Sequence, residues 1–222
     1  MALRLLMLGP PGAGKGTQAA RIAGDHRVPK ISTGDMLRNA VASGSSLGHL
    51  VKETVARGSL VSDDVIVALV RERLAEPDAA DGYVLDGFPR TVIQAEALDG
   101  LLDGAPLAVV EIRVPDDELV RRVRGRRICE RCGTTVSAFD GDPSLALVCK
   151  VCGGRLVQRS DDSEQVVRDR LKIYWRETQP MIGFYEGRPT FRWVDGAQPP
   201  VAVYEAIAAA VAEMNGKRMG LQ

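Results

Sequence analysis

The first apolar run of the chain leads directly into a glycine-rich turn. Leu3 to Leu8 is apolar except for Arg4, residues 9–17 read Gly-Pro-Pro-Gly-Ala-Gly-Lys-Gly-Thr, and Gln18 to His26 favours a helix. A strand that turns into a helix in this way presents backbone N–H groups and the positive end of a helix dipole to an anion. The glycines let the chain wrap around a phosphate that Lys15 can reach. The segment therefore predicts a strand, a nucleotide phosphate-binding loop and a helix.

The spacing from Gly9 through Gly14 to Lys15 matches the G-x4-G-K phosphate-binding pattern. One position departs from that pattern, because Gly16 follows the lysine and the hydroxyl comes one residue later, at Thr17. We therefore expect Mg²⁺ to be held chiefly by phosphates and water, and not directly by a hydroxyl. An ordinary glycine-rich turn between a strand and a helix is the alternative explanation.

Composition limits the kind of protein this can be. A chain of 222 residues has room for one α/β domain with insertions or for two small domains. Lysine plus arginine and aspartate plus glutamate both number 29, so no net charge attracts the chain to nucleic acid or to a membrane. No apolar run approaches the ~18 residues of a membrane span, and the N-terminus leads into a strand. We expect a monomeric cytoplasmic enzyme.

Strands and helices alternate along the chain, which is typical of a parallel sheet. The apolar pattern predicts strands at 3–8, 83–85, 107–112 and 190–194, and long helices at 64–75, 91–102, 163–185 and 201–214. Residues 30–61 favour small helices, at 36–42 and 50–56, with Thr33 or Asp35 capping the first and no strand in the segment. This segment and the one at about 125–162 read as insertions into an α/β core.

Charged residues follow the strand predicted at 83–85. Asp86 and Arg90 come at its carboxyl end, where open α/β sheets bind ligands, so we expect them to face the same cleft as Lys15. Gln94 lies one helical turn beyond Arg90 and points the same way. Farther along, five arginines fall between 121 and 127, and such a cluster is usually a solvated surface. Arg122 and Arg126 are spaced i,i+4 and would face one side if the preceding helix continued.

Four cysteines form the pattern C-x2-C-x16-C-x2-C, which is typical of a zinc site. They are Cys129, Cys132, Cys149 and Cys152, and a glycine follows each pair. Four thiolates leave no open coordination position, so we expect a structural Zn²⁺. Two disulfides, or an iron site with the same spacing, are the alternatives.

Together these segments resemble the adenylate kinase family, in its long-lid, zinc-bearing form. The motifs that carry the resemblance are Gly-Pro-Pro-Gly-Ala-Gly-Lys-Gly-Thr (9–17), Ser-Thr-Gly-Asp-Met-Leu-Arg (32–38), Leu-Asp-Gly-Phe-Pro-Arg-Thr (85–91), Gly-Arg-Arg (125–127) and Val-Asp-Gly-Ala-Gln (194–198). The resemblance covers essentially the whole chain. It implies a P-loop three-layer α/β fold, with a central parallel sheet, helices on both faces, a helical AMP-binding insertion and a zinc-bearing lid.

The implied reaction is ATP + AMP ⇌ 2 ADP with Mg²⁺, so the expected partners are ATP, AMP and ADP. The acceptor oxygen is already anionic and needs no general base, whereas the two polyanions need cations around them. By resemblance the catalytic cations are Lys15, Arg90, Arg126, Arg159 and Arg170, and Asp86 lies near Mg²⁺ through water. ATP contacts are implied for Gly12, Ala13, Gly14, Lys15, Gly16, Thr17, Arg122, Arg126, Thr135, Val136 and Gln198. AMP contacts are implied for Thr33, Arg38, Ser59, Leu60, Val61, Gly87, Phe88, Pro89, Arg90, Gln94, Arg159 and Arg170.

The resemblance also implies a division of the chain. Residues 1–29, 62–124 and 163–222 would form the core, 30–61 a lobe that closes over AMP, and 125–162 a lid that closes over ATP. Closing lobes exclude water, which would otherwise hydrolyse ATP. The zinc would stiffen a lid that is too small to have its own core.

Two kinds of alternative stay open. The first is a sibling nucleotide kinase, either a GTP:AMP phosphotransferase or a pyrimidine-monophosphate kinase; Thr33 and the long lid favour AMP as the acceptor. The second is a zinc-ribbon protein that binds nucleic acid and responds to ATP. The zero net charge and the lack of interleaved aromatic residues count against the second alternative.

Overall fold

The computed structural model describes residues 2–137, 148–159 and 161–216. Within them, five parallel strands form one sheet in the order β2-β3-β1-β4-β8. The strands are β1 (Leu3–Leu8), β2 (Lys30–Ser32), β3 (Gly82–Asp86), β4 (Ala108–Arg113) and β8 (Phe191–Asp195). A second sheet of three antiparallel strands consists of β5 (Arg126–Cys129), β6 (Thr135–Ser137) and β7 (Leu156–Val157).

Helices connect the strands of the parallel sheet. They are α1 (Lys15–His26), α2 (Thr33–Ser43), α3 (Ser46–Ala56), α4 (Asp63–Leu74), α5 (Val92–Leu102), α6 (Asp116–Arg124), α7 (Glu164–Ile173), α8 (Gln179–Glu186) and α9 (Pro200–Gly216). A π-helical turn, Tyr174–Thr178, joins α7 to α8, and a short 3₁₀ turn, Pro77–Ala79, precedes β3. No helix in the described part of the chain is both long and apolar enough to cross a membrane.

The central strands are buried on both faces because helices cover both sides of the sheet. Leu5 and Met7 of β1 contribute to one core cluster, whereas Leu6 and Leu8 contribute to the other. The first cluster also takes residues from α1, α6, α7 and α9, and the second from α4, α5 and α8. This arrangement confirms the predicted three-layer α/β fold.

The topology brings the ends of two strands to the same edge of the sheet. β1 lies between β3 and β4, with Met7 opposite Asp86 in the β1–β3 register. The loop that begins at Gly9 therefore leaves the sheet beside Asp86, at the edge where open parallel sheets bind ligands.

The prediction of no strand between residues 30 and 61 is wrong, because Lys30–Ser32 pairs in parallel with β3. Three residues at the edge of a sheet are too short to give a period-two pattern, which is why the sequence did not indicate them. The cap prediction is also wrong, because Ser32 is the N-cap of α2 and its Oγ accepts from Asp35 N at 3.3 Å.

Candidate active site

The glycine-rich loop packs against the neighbouring strand so closely that side chains are excluded. At Gly9, φ is 137°, and a Cβ there would lie 2.5 Å from the Ile112 carbonyl oxygen. Helix α1 begins directly at Lys15, with Gly14 as its N-cap and no side chain capping it. Because no side-chain cap is present, backbone N–H groups of the first helical turn are left for a bound anion.

Lys15 lies over this loop. Its Nζ donates to the carbonyl oxygens of Gly9 at 2.6 Å and Pro10 at 2.9 Å. Burial lowers the pKa of Lys15 to about 8, and the nearby guanidinium groups of Arg90 and Arg170 act in the same direction. An anion at this position would relieve that clustering of positive charge.

Asp86 explains why a glycine follows the lysine. A Cβ at Gly16 would lie 3.2 Å from Asp86 Oδ2, so the carboxylate occupies the space beside this position. The carboxylate therefore lies beside the glycine-rich loop, and its negative charge acts to raise the pKa of Lys15.

A cleft of about 540 Å³ lies between β3, α2 and the segment that precedes α4. Its lining includes Thr33, Arg38, Ser59, Leu60, Val61, Gly87, Arg90, Gln94 and Arg170, all of them predicted site residues. Hydrogen bonds to Gly87 hold three of the lining residues together. Thr33 Oγ1 donates to the Gly87 carbonyl oxygen at 2.7 Å, and Arg90 Nε donates to the same oxygen at 2.8 Å. The lining combines cationic, polar and apolar groups, which suits a ligand that carries both a base and a phosphate.

A second cleft of about 540 Å³ lies beside the glycine-rich loop and is lined by Lys15 and Pro89. The two clefts share Gly58, Leu60, Gly87, Arg90 and Arg170. Arg90 and Arg170 therefore lie where the two clefts meet, next to Lys15. Phe88 is different from its neighbours, because it is 1% exposed and belongs to the core.

Burial and mutual repulsion lower the pKa values of these arginines. Desolvation is the main cause, and it lowers the pKa of Arg170 to about 10, with Arg126 and Arg90 adding to the effect. The pKa of Arg159 is also lowered to about 10, chiefly by burial and then by Arg38 and Arg126. So many buried cations close together need anionic partners.

Two acidic residues, Asp161 and Asp162, supply part of the negative charge that these arginines need. The sequence analysis gave neither of them a role. Arg170 Nη1 donates to Asp161 Oδ2 at 2.8 Å, and Arg126 Nε donates to Asp162 Oδ2 at 2.7 Å. The two aspartates are 5% and 0% exposed. Acidic residues are common before a helix, so the position of these two aspartates just before α7 did not identify them as partners of buried arginines.

A third acidic residue, Asp35, joins the lobe of α2 to the segment after β7. Arg38 Nη2 donates to Asp35 Oδ1 at 2.6 Å, and Arg159 Nη2 lies 3.8 Å from the same oxygen. Arg38 Nη1 also lies 4.0 Å from Asp161 Oδ2. These ion pairs bring the predicted residues Arg38 and Arg159 together through carboxylates.

The helical relationship predicted for Arg122 and Arg126 is wrong. Helix α6 ends at Arg124, and Arg126 begins β5. A glycine at 125 ends the helix, so the i,i+4 spacing does not apply. Arg126 lines neither of the two clefts, but its positive charge acts to lower the pKa values of Lys15 and Arg170.

Other predicted donor-side residues lie farther along the edge of the sheet. Arg122 Nη1 donates to the Gly196 carbonyl at 2.8 Å, and Gln198 Nε2 donates to Asp195 Oδ2 at 2.9 Å. Thr135 and Val136 lie on β6 in the small sheet, opposite Ile128 and Arg127.

The four cysteines converge at the end of the small sheet. All four are free, and their sulfur atoms lie within 4.8 Å of one another. The sulfurs of Cys129 and Cys152 are 3.4 Å apart, and those of Cys132 and Cys149 are 3.6 Å apart. A tetrahedral ion with Zn–S bonds of ~2.3 Å requires S···S edges of roughly 3.8 Å. The four thiols therefore fit a structural zinc ion.

Comparisons with known proteins agree with this geometry. The sequence model of the family described as adenylate kinase matches residues 7–189. The adenylate kinase of Acidothermus cellulolyticus is 48% identical over 215 residues, which cover 96% of this chain and 98% of that protein. That of Rhizobium etli is 48% identical over 198 residues, covering 87% and 92% of the two chains. That of Desulfitobacterium hafniense is 45% identical over 212 residues, covering 94% and 98%. The chain belongs to the adenylate kinase family.

Proposed function

We propose that the chain transfers a phosphoryl group reversibly between ATP and AMP, giving two ADP, at the junction of the two clefts. The observation that carries this proposal is that Arg90 and Arg170 line both clefts beside Lys15. Two polyanions that meet at one point repel each other, and fixed cations at that point lower the cost of bringing them into line.

The chemistry needs positioning and charge more than it needs proton transfer. The acceptor is a phosphate oxygen that is already anionic, so no side chain acts as a general base. The phosphate clamp consists of Lys15, Arg90, Arg126, Arg159 and Arg170. Their buried positions support this role, because electrostatic stabilisation is stronger where water is excluded.

The acceptor AMP occupies the first cleft. Its contacts are Thr33, Arg38, Ser59, Leu60, Val61, Gly87, Phe88, Pro89, Arg90, Gln94, Arg159 and Arg170. Phe88 acts through its backbone, because its side chain is buried in the core. The donor ATP takes the glycine-rich loop, from Gly12 through Ala13, Gly14, Lys15 and Gly16 to Thr17, together with Arg122, Arg126, Thr135, Val136 and Gln198.

Asp86 is the residue that suits a magnesium ion at this site. Its carboxylate lies beside Gly16 at the start of α1, and carboxylate oxygen with water is the ligand set that Mg²⁺ prefers. The ion would neutralise charge on the transferring phosphates. As the family resemblance implies, Asp86 would act on the ion through bound water.

Two segments close over the nucleotides. We assign 30–61 to the AMP lobe and 125–162 to the lid, with residues 1–29, 62–124 and 163–222 as the core. Residues 138–147 and 160 of this lid, and 1 and 217–222 of the core, lie outside the described part of the chain. Residues 30–32 of the assigned lobe form β2 and pair with β3 in the core sheet, so the part of the lobe that moves begins after Ser32. The zinc in the lid is structural, and the enzyme acts as a cytoplasmic monomer.

Three arginines of the 121–127 cluster already bond to acidic residues of the protein, which weakens the nucleic-acid alternative. Arg121 and Arg122 both donate to Glu118, and Arg126 bonds to Asp162, so these side chains are engaged within the protein. The sibling kinases differ only in the bases they accept, and an assay separates them directly.

The test is a phosphoryl-transfer assay over a matrix of donors (ATP, GTP) and acceptors (AMP, UMP, CMP), on protein of measured metal content. The proposal expects the highest kcat/KM for ATP with AMP, and no turnover without Mg²⁺. Faster transfer to UMP or CMP, or from GTP, would assign the chain to a sibling activity.

A further inference from the structure

A carboxylate outside the proposed nucleotide contacts holds the amide of Gln94. Asp63 is the first residue of α4, and its Oδ1 accepts from Gln94 Nε2 at 2.7 Å. The same oxygen accepts from Thr91 Oγ1 at 3.0 Å. Gln94 is 2% exposed and lines the acceptor cleft. The side chain that faces the acceptor is therefore tied to a neighbouring helix.

The opposite side of the same amide is also fixed. Gln94 Oε1 accepts from the backbone N–H of Arg90 at 2.8 Å. An ionised carboxylate can only accept and an N–H can only donate, so both partners require the same orientation of the amide. Turning the amide by 180° would place an N–H against Arg90 N–H and an oxygen against Asp63.

Each amide atom keeps one bonding position for a ligand. A carboxamide has two N–H donors and two oxygen lone pairs, and the protein uses one of each. The remaining N–H and the remaining oxygen lone pair of Gln94 are available to a ligand, and their relative positions are fixed. Adenine offers an N6–H donor beside the N1 acceptor, whereas hypoxanthine offers an O6 acceptor beside an N1–H donor. A fixed amide can match only one of the two base edges.

We propose that Asp63 is a positioning residue that sets base selectivity at the acceptor site by holding the amide of Gln94 in one orientation. This inference rests on the proposed function, in which Gln94 contacts AMP. Asp63 touches neither the nucleotide nor the phosphates; it acts through Gln94. Without it, the amide loses one of the two bonds that define its orientation.

The test compares AMP with IMP as acceptors, because the two nucleotides differ only at position 6 and N1 of the base. Asp63→Ala raises KM for AMP about ten-fold, since a buried amide N–H loses its acceptor. It also lowers the preference for AMP over IMP in kcat/KM by about ten-fold. Both kcat with AMP and KM for ATP stay within about two-fold of wild type, which is the signature of lost acceptor binding.

Three further variants separate positioning from a general structural effect. Asp63→Asn keeps an oxygen acceptor at the same place, so it retains most of the preference for AMP. Asp64→Ala removes the same charge from the same helical turn at an exposed position, and behaves as wild type. If Asp63→Ala does not fold, Asp63→Ser takes its place, because serine suits a helix N-terminus but is too short to reach Gln94.

Gln94→Ala shows whether the role of Asp63 fails alone or whether the proposed acceptor site fails as well. Loss of AMP preference in Gln94→Ala together with wild-type preference in Asp63→Ala and Asp63→Ser would overturn the role of Asp63 alone. Unchanged AMP kinetics in Gln94→Ala would overturn the assignment of the acceptor site itself. Loss of preference in both the Gln94 and Asp63 variants, with Asp64→Ala unaffected, is the result that supports the inference.

Discussion

Arg126 and Asp162 form a two-point ion pair between the small sheet and the segment that leads into α7. Arg126 Nε donates to Asp162 Oδ2 at 2.7 Å, and Nη2 contacts the other carboxylate oxygen. Burial acts to lower the pKa of Arg126. The bond to Asp162, together with the negative charges of Asp162, Asp161 and Asp86, outweighs burial and raises the pKa above its ordinary value. The guanidinium stays charged, and its direction is set before any phosphate arrives.

Removing that guanidinium should reduce turnover strongly. It should also lower stability, because the fully buried Asp162 loses its two-point partner. We expect Arg126→Ala to lose on the order of 10³-fold or more in kcat, as charge-stabilising arginines of phosphoryl transfer do. Arg126→Lys should also be impaired, because an ammonium group cannot reproduce the planar two-point contact. Steady-state kinetics with ATP and AMP measure both, and near-wild-type turnover would exclude Arg126 from the site. Arg124, which is 59% exposed, provides the control as Arg124→Ala.

Arg90→Ala tests the junction of the two clefts in the same way. Arg90 lines both clefts, and burial lowers the pKa of its guanidinium. We expect a loss of about 10³-fold or more in turnover, again by the magnitude typical of such arginines. The effect should appear in kcat for both directions of the reaction. A variant with only a raised KM for AMP would indicate simple acceptor binding.

Asp162→Ala should destabilise the protein by breaking the same ion pair from the other side. The Asp162 side chain is fully buried, and removing it leaves the largely buried Arg126 without its partner. Breaking one side of a buried pair costs about 3–5 kcal/mol, which urea unfolding would measure. Asp169→Ala is the matched control, because Asp169 lies on α7 in an exposed pair with Lys172, and such pairs contribute ~1 kcal/mol or less. Equal stability of the two variants would contradict this prediction.

The sequence predicted those parts of the site that depend on local spacing. The glycine-rich loop, each of the two Cys-x2-Cys pairs and the pair Asp86 and Arg90 have a fixed pattern within a few residues. Their patterns reflect backbone geometry and metal coordination, which act over short distances along the chain.

What the sequence missed depends on contacts between remote segments. Asp162 is 36 residues from Arg126, and Asp63 is 31 from Gln94. A single carboxylate has no periodicity that distinguishes a buried partner of an arginine from a solvated residue. The same limit applies to β2, because an edge strand of three residues gains its hydrogen bonds only from β3.

Asp35 gives the stability of the chain a specific dependence on pH. Burial acts to raise its pKa, but Lys30 and Arg38 outweigh that effect and hold the pKa far below its ordinary value. A carboxyl group with a depressed folded-state pKa contributes its full stabilisation above the unfolded value of about 4 and loses it as the pH falls further. The difference in unfolding free energy between wild type and Asp35→Asn should thus be largest near pH 7 and shrink below pH ~4.

Loss of the zinc ligands should weaken the lid without removing the chemistry. Among the described residues, the small sheet has only a minor core, built around Cys129, Cys149 and Leu156, so we expect a metal to contribute much of its rigidity. We expect Cys132→Ser to lower the metal content and to reduce Tm by at least about 4 °C, at roughly 2–4 °C per kcal/mol for a chain of this size. A chelator should lower the Tm of wild type and leave that of the variant almost unchanged. Folded Cys132→Ser should retain turnover below its own Tm, and complete loss of activity in that folded protein would mean that the metal takes part in the reaction.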